Sequence, residues 1–417
     1  MKHKVLLTAL IIFLGSVSGV ISVDTFEKTI ANIQTGMYNA AGVFFVDSIT
    51  VSSLHANYKN ADKVSVDVNG QKVSDKIKIL IVPGHEPNYG GTEYRNLKER
   101  DIVVDIADNL ATILRTNPRY EVIVARDKNG WNPILDEYFS REWENILEWK
   151  EKYKAEMIRL VGQGLVKIHT EGVEHNSAPN DVARRLYGIN KWTVENNVDI
   201  ALHLHINDNP RSNTRNPGKY SGFTIYVPER QYSNAKATGA VADTVSRRLS
   251  KYFATSNLPQ ESDGIVEDQE LVAIGRHNTV DAVSMLIEYG YIYEPQYEEK
   301  DIRDLIVKEY ALSTYLGIQD FFGAPNAKID GADSFLLSQK LTHGGPTDIL
   351  AVQFILAHKG YYPPSGKTKN ECGMTGILGP CTLTALQKFQ HDQGISDETG
   401  RVGEKTQKAL YTVTSIQ

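Results

Sequence analysis

The sequence predicts an α/β fold with a mostly parallel central sheet flanked by helices, and a small separate domain at the C-terminus. Three observations predict it. Apolar runs of strand length (KIKILIV, YEVIVAR, VDIALHLHIN, GFTIYV and VSMLIEYGYI) recur between residues 76 and 322, with helical-period stretches between some of them. That alternation is the rhythm of a sheet joined by helical crossovers. Some of these runs deliver a histidine or glutamate at their carboxyl ends, the edge where open α/β sheets bind ligands. Finally, residues 323–346 read as a linker rich in Gly, Pro and polar residues, and a new pattern begins after Pro346.

The bulk numbers set the frame. A chain of 417 residues suggests two or three domains. Hydrophobic residues at 41% and charged residues at 23% are ordinary for a globular protein. The net charge of -6 leaves no basic footprint, so a nucleic-acid partner is not expected. At the N-terminus, Lys2, His3 and Lys4 precede VLLTALIIFLGSVSGVIS. A basic start, an apolar run and small residues at its end read as a signal peptide over 1–22, cut after Gly19 or Ser22. The alternative is an uncleaved anchor, and only then is membrane attachment expected. The run is short against the about 20 apolar residues of a span. Cys372 and Cys381 are the two cysteines. They pair if the protein is exported, or else remain buried thiols.

Element by element, residues 23–75 are weakly patterned and have no assigned role. FEKTIANIQTGMYNAAGVFF reads as a helix running into a strand, and KVSVDVNGQKV as a hairpin turning at Asn69-Gly70. KIKILIV is a strand ending at Pro83. In ERDIVVDIADNLATILR, Ile102, Val103, Ile106, Ala107, Leu110, Ile113 and Leu114 fall on one helical face. Residues 127–180 interrupt the rhythm with a charged helix, DEYFSREWENILEWKEKYKAEMIRLV, carrying Trp143, Ile146, Leu147 and Met157 on or near one face. A loop, HTEGVEHNSAPND, follows. NAKATGAVADTVSRRLSKYF is a further helix.

The chemistry gathers at strand ends. His85 follows LIVPG, with Gly84, Gly90 and Gly91 expected to let the backbone turn beside it. In VDIALHLHIN the alternation places His203 and His205 on one face, about 6.6 Å apart along the strand. Glu288 follows MLI on another strand. Glu99 begins a helix, where a carboxylate is also explained by the helix dipole. Two histidines and a carboxylate are a usual ligand set for catalytic zinc, and Glu288 is then free as general base. His203 is read as structural or as a neighbour of the site. His169, His175 and His277 are read as surface residues, and His343 and His358 belong to the linker and the small domain. The His-x-His pair of barrel amidohydrolases does not fit a chain with so few βα units. The glycines at 84–91 lack the lysine of a phosphate loop. No His-Glu-x-x-His motif occurs.

Taken together, residues 77–320 resemble the zinc-dependent N-acetylmuramoyl-L-alanine amidases of the amidase-3 family. The resemblance rests on IVPGHEPNYGG, NLKERDIVVDIADNL, HLHIN and MLIEYGYI, in order and at family spacing once 127–180 is removed. It implies an amidase-3-like catalytic domain over 76–322, with His85, Glu99 and His205 as Zn2+ ligands and Glu288 as catalytic carboxylate. Glu93 is the alternative carboxylate ligand. The family's Asp before Pro-Gly-His is Val82 here, and its Ser before the histidine is His203. Residues 347–417 resemble a peptidoglycan-binding domain of the three-helix type, through DILAVQFILAHKGYY, GILGPCTLTALQKFQ and GRVGEKT. That implies a small C-terminal all-α domain. A Cys372–Cys381 disulfide would staple its long loop to the next helix. The implied function is hydrolysis of the amide between N-acetylmuramic acid and L-alanine in peptidoglycan, by an exported protein of the cell envelope. The rival readings are an inactive wall-binding module and a zinc peptidase cutting the stem peptide. Some family members carry an inserted helix that covers the zinc until a partner removes it. The 127–180 insertion, with Glu142, Glu144, Glu148 and Glu151, is therefore a candidate target for an activator protein; its alternative is a solvated rim helix.

Overall fold

The computed structural model describes residues 49–412, except 62–63, 67–71, 75, 170–172, 174, 176–177, 212, 214, 325–332 and 343. The signal reading at 1–22, the helix-to-strand reading before residue 46 and His343 lie outside the described residues. No helix among the described residues is long and apolar enough to cross a membrane.

The chain enters through α1 (Val51–Asn60), capped by the Thr50 hydroxyl, which accepts from Ser53 N at 3.0 Å. The expected hairpin has its two arms, β1 (Val64–Val66) and β2 (Lys72–Ser74), paired antiparallel. The central sheet contains β3 (Ile77–Pro83), β6 (Tyr120–Val124), β7 (Ile200–Asn207), β8 (Thr224–Pro228), β9 (Ile265–Asp268) and β10 (Val283–Tyr291). Its six strands lie in the order β6-β3-β7-β10-β8-β9. β6, β3, β7 and β10 run parallel, whereas β8 is antiparallel to β10 and β9 follows β8 in parallel. The expected mostly parallel sheet is present, with one reversal. β9 escapes sequence reading because IVED pairs two apolar residues with two acids and shows no period of two.

Both faces are covered, as parallel strands require. On one face Ile79, Ile81, Leu202, Leu204, Met285 and Ile287 join a core with α2 (Glu99–Leu114) and later helices. All seven residues expected on the inner stripe of α2 are buried. On the other face Leu80 and Val82 pack under α3 (Pro133–Gly162) and α4 (Asn180–Glu195), through Leu135, Tyr138, Phe139, Ile146, Tyr187 and Trp192. Helix α3 is the charged helix of the insertion. Its Glu142 and Glu144 pair with Lys191 and Arg184 of α4 at 3.2 and 3.3 Å.

Helices α5 (Ala235–Tyr252) and α6 (Lys300–Phe321) complete the first layer. Past the linker, α7 (Pro346–His358), α8 (Pro380–Asp392) and α9 (Glu404–Tyr411) supply the three C-terminal helices. Cys372 and Cys381 are disulfide-bonded, joining the long loop to the start of α8. The core is continuous across the linker. Phe354 of α7 is fully buried and stacks on Tyr252 of α5, with ring centroids 4.7 Å apart. Asn370 donates to Ser221 O and Thr255 O at 3.1 and 3.0 Å.

Candidate metal centre

Three segments converge at the carboxyl edge of β3 and β7. Pro83 closes β3, and the Gly84 N–H donates to Leu204 O at 2.8 Å, carrying the ladder one residue further. His85 then adopts φ 68°, a left-handed conformation that a non-glycine residue holds only when its surroundings enforce it. The expected role of Gly84 in turning the backbone is corrected: its φ is ordinary. A Cβ on Gly84 would lie 2.3 Å from His205 Cε1. The glycine is there because an imidazole occupies the space. Gly91, by contrast, has φ 77° and faces both His85 and Glu99.

Glu99 opens α2 after the short ribbon of β4 (Glu93–Tyr94) and β5 (Leu97–Lys98). Its Oε1 lies 2.8 Å from His85 Nε2 and 3.0 Å from His205 Nδ1. Backbone N–H groups of Ile206 and Thr92 donate to its two oxygens at 3.1 and 2.9 Å. Burial raises the pKa of Glu99, yet the two neighbouring imidazoles outweigh burial and hold it well below the usual carboxylate range. Burial pushes His205 down despite its bond to Glu99. The donor set is thus an anionic carboxylate beside an imidazole biased to its neutral form, the states a metal needs.

Donor atoms of His85, Glu99 and His205 all lie within 4.8 Å of one another, and they form the one such metal-competent group among the described residues. His85 Nε2 is buried and does not meet hydrogen-bond geometry with any partner there. A ring nitrogen that faces a carboxylate oxygen at 2.8 Å without hydrogen-bond geometry fits two donors converging on one cation. The alternative ligand Glu93 does not belong to the cluster: it is exposed and pairs with Arg100 at 2.7 Å. His203 also stays outside it. Its side chain is buried and its pKa is pushed down to about 3 by burial and by His205.

Glu288 stands opposite His205 in the parallel register of β10 and β7, so their backbones are about 4.8 Å apart. Its Oε2 is buried without a hydrogen-bond partner among the described residues. Burial, then the charges of Glu99 and Glu261, raise its pKa well above the ordinary carboxylate value. Glu261 was not foreseen. It accepts from Tyr226 OH, Asn207 Nδ2, Ser256 Oγ and Tyr291 OH at 2.6, 2.9, 2.5 and 2.8 Å. Nothing in the local sequence announces it, since it lies on a 3-10 turn remote from the strand ends. His175, read as a surface residue, is half-buried and sits 2.8 Å from Asp268.

The family model for N-acetylmuramoyl-L-alanine amidase matches residues 79–320, more than half of the chain. This protein belongs to that family. The model for a peptidoglycan binding domain matches residues 346–410. The amidase is similar to several solved structures. One is the CwlD amidase of Clostridioides difficile in complex with the GerS lipoprotein, at 14% identity, TM-score 0.38, covering 60% of this chain and 99% of that one. Another is Ami1 of Mycobacterium smegmatis, at 13% identity, TM-score 0.39, with 60% and 97% covered. A third is the catalytic domain of CwlV from Bacillus (Paenibacillus) polymyxa var. colistinus, at 14% identity, TM-score 0.35, with 59% and 98% covered. No curated protein matches this chain. The amidase hydrolyses peptidoglycan as an N-acetylmuramoyl-L-alanine amidase, and its wall-binding domain places that work in the cell envelope.

Proposed function

We propose that this amidase is a zinc enzyme in which His85, Glu99 and His205 hold the metal and Glu288 moves the proton. The carrying observation is the convergence of those three side chains within 4.8 Å, at the strand level of Glu288. Bound there, zinc would polarise the amide carbonyl and lower the pKa of water toward about 7. Glu288 accepts the proton of the attacking water and delivers it to the leaving nitrogen of L-alanine. Its surroundings suit the task, because desolvation and the neighbouring charges of Glu99 and Glu261 raise the affinity of this carboxylate for the proton it must take up. Glu261 anchors Asn207 and Tyr226 close by, which limits movement of the strand ends around the reacting groups.

The catalytic domain spans 76–322, with the helical insertion at 127–180, and the peptidoglycan-binding domain follows the 323–346 linker. Residues 1–22 direct export. Between an activator target and a rim helix, the reading of the insertion follows its contacts. In its present position α3 has Glu142 and Glu144 engaged with α4, and among the described residues the ion-pair partner of His85 and His205 is Glu99 and not an acid of α3. That arrangement supports a rim role for the helix.

The test is digestion of purified peptidoglycan, with and without a chelator, followed by mass analysis. Free peptides beginning at L-alanine with intact glycan, lost on chelation and restored by zinc, support the reading. Cuts inside the stem peptide, or release indifferent to chelation, overturn it.

A further inference from the structure

Arg126 follows β6 at the same carboxyl edge as His85 and is 1% exposed. A fully buried guanidinium must find acceptors for its five donors. Its acceptors here are backbone carbonyls, and their positions are informative. Nε donates to Pro83 O at 3.1 Å, and Nη2 donates to Gly84 O. These are the two carbonyls directly before His85. Nη2 also donates to Arg100 O at 3.0 Å, the carbonyl directly after Glu99 in the first turn of α2. Nη1 donates to Asp127 O at 3.0 Å. One rigid fork therefore ties the β3 loop to the start of α2.

The far side of His85 is fixed independently. Glu86, itself 5% exposed, accepts from Trp131 Nε1 at 3.1 Å and from Arg185 Nε at 2.7 Å. His85, with its φ of 68°, sits between these two clamps. Left-handed backbone at a bulky residue persists only where the surroundings over-determine it. Burial lowers the Arg126 pKa to about 10, with Glu86 and Asp101 opposing, so the group stays charged at neutral pH. Its hydrogen bonds are accordingly of the stronger, charge-assisted kind.

We propose that Arg126 is a positioning residue for the metal centre, setting His85 and Glu99 relative to one another through the carbonyls of Pro83, Gly84 and Arg100. The inference rests on the reading of His85, Glu99 and His205 as the metal ligands. Arg126 touches neither substrate nor metal. It acts by fixing two ligand-bearing backbones as one unit before the metal arrives. Lysine cannot replace it, because a single ammonium lacks the planar fork that spans the two segments.

The test measures zinc affinity of the full chain by competition with a chromophoric chelator, together with the thermal midpoint of the metal-free protein. The variants are R126Q, R126K, R126A, H85A and L135A. Leu135 is fully buried in the core beneath α3 and is not one of the ligands, so L135A reports what lost stability alone does to affinity. H85A tests the underlying site: if it binds zinc as wild type does, the ligand reading fails. With that reading intact, R126Q and R126K should both weaken zinc binding on the order of 10–100-fold, while L135A at a matched or lower midpoint binds normally. Adding methylguanidinium to R126A should restore part of the affinity. Wild-type affinity in R126Q or R126K overturns the proposal. So does a loss in either variant that L135A reproduces at equal midpoint. If R126Q does not fold, R126K and the rescue of R126A decide the matter by the same criteria.

Discussion

The carboxyl edge of the sheet and the seam to the wall-binding domain are built on opposite principles. At the edge, polar groups crowd together with backbone held in a left-handed conformation at His85, a carboxylate buried at Glu99 and another half-buried at Glu288. At the seam, Phe354 stacks on Tyr252 and meets Phe253 edge-on in a buried aromatic cluster. The edge gives up local stability to hold reactive groups near one another, while the seam contributes stability and carries no chemistry. Yet the seam has one exception of its own. Glu309 of α6 is fully buried there, accepts from Leu336 N at 3.0 Å, and leaves its second oxygen unpartnered among the described residues.

The contrast can be broken first at Glu288. E288Q keeps the shape and loses the proton acceptor, so turnover should fall by roughly 10²–10⁴-fold with zinc content unchanged, as metal analysis of the purified variant would check. Near-normal turnover would remove Glu288 from the mechanism.

At the seam the expectation reverses. F354A removes a buried ring between the two domains and should cost about 3–5 kcal/mol of stability. Calorimetry should show one cooperative transition in wild type, because the core is continuous. Two separate transitions in wild type would mean that the domains are joined only by their linker.

Gly84 sharpens the contrast at the edge. G84A forces a methyl group against His205, at 2.3 Å from Cε1 in the present geometry. The side chain must shift, so zinc affinity should drop by about 10-fold or more with little change in the unfolding midpoint of the metal-free protein. A variant that binds zinc normally would show that His205 has room to spare.

The smallest effect is the pH dependence from Glu309. Burial raises its pKa from 4.5 to about 8 in the folded protein. The unfolded chain then releases this proton at lower pH than the folded one does. The contribution is therefore fully present below about 4.5 and is lost progressively as pH rises toward about 8. E309Q should flatten that decline between pH 5 and pH 8, read as chemical-denaturation midpoints across pH. An unchanged slope would mean that another group is responsible.

Much of this was legible in the sequence because its signals are local. Strand β3, the inner face of α2 and the three strand-end residues follow from hydrophobic period and from punctuation by Pro and Gly. The reversal at β8 was not legible, because GFTIYV has the same alternation whichever way it runs. Nor was Arg126, although it occupies the same position after β6 that His85 occupies near the end of β3. A cation after a strand is common, and its partners are carbonyls with no sequence signature.

The sequence by itself determined the fold class and the candidate ligands His85, Glu99 and His205, with Glu93 as the alternative carboxylate and His203 as a structural residue or a neighbour of the site. Only tertiary structure showed which of these side chains come together. His203 and His205 share one face and differ by a single pleat, so periodicity treats them alike. The register of β7 against β3 and β10 sets His205 level with Glu288 and beyond the last residue of β3, while His203 falls beside Val82 and Leu286 in the covered part of the sheet. Glu93 and Glu99 are separated by a ribbon whose fold turns Glu99 inward to meet two backbone N–H groups and leaves Glu93 in solvent with Arg100. The first placement rests on pairing between distant strands, which no local pattern encodes, and the second on a short local ribbon.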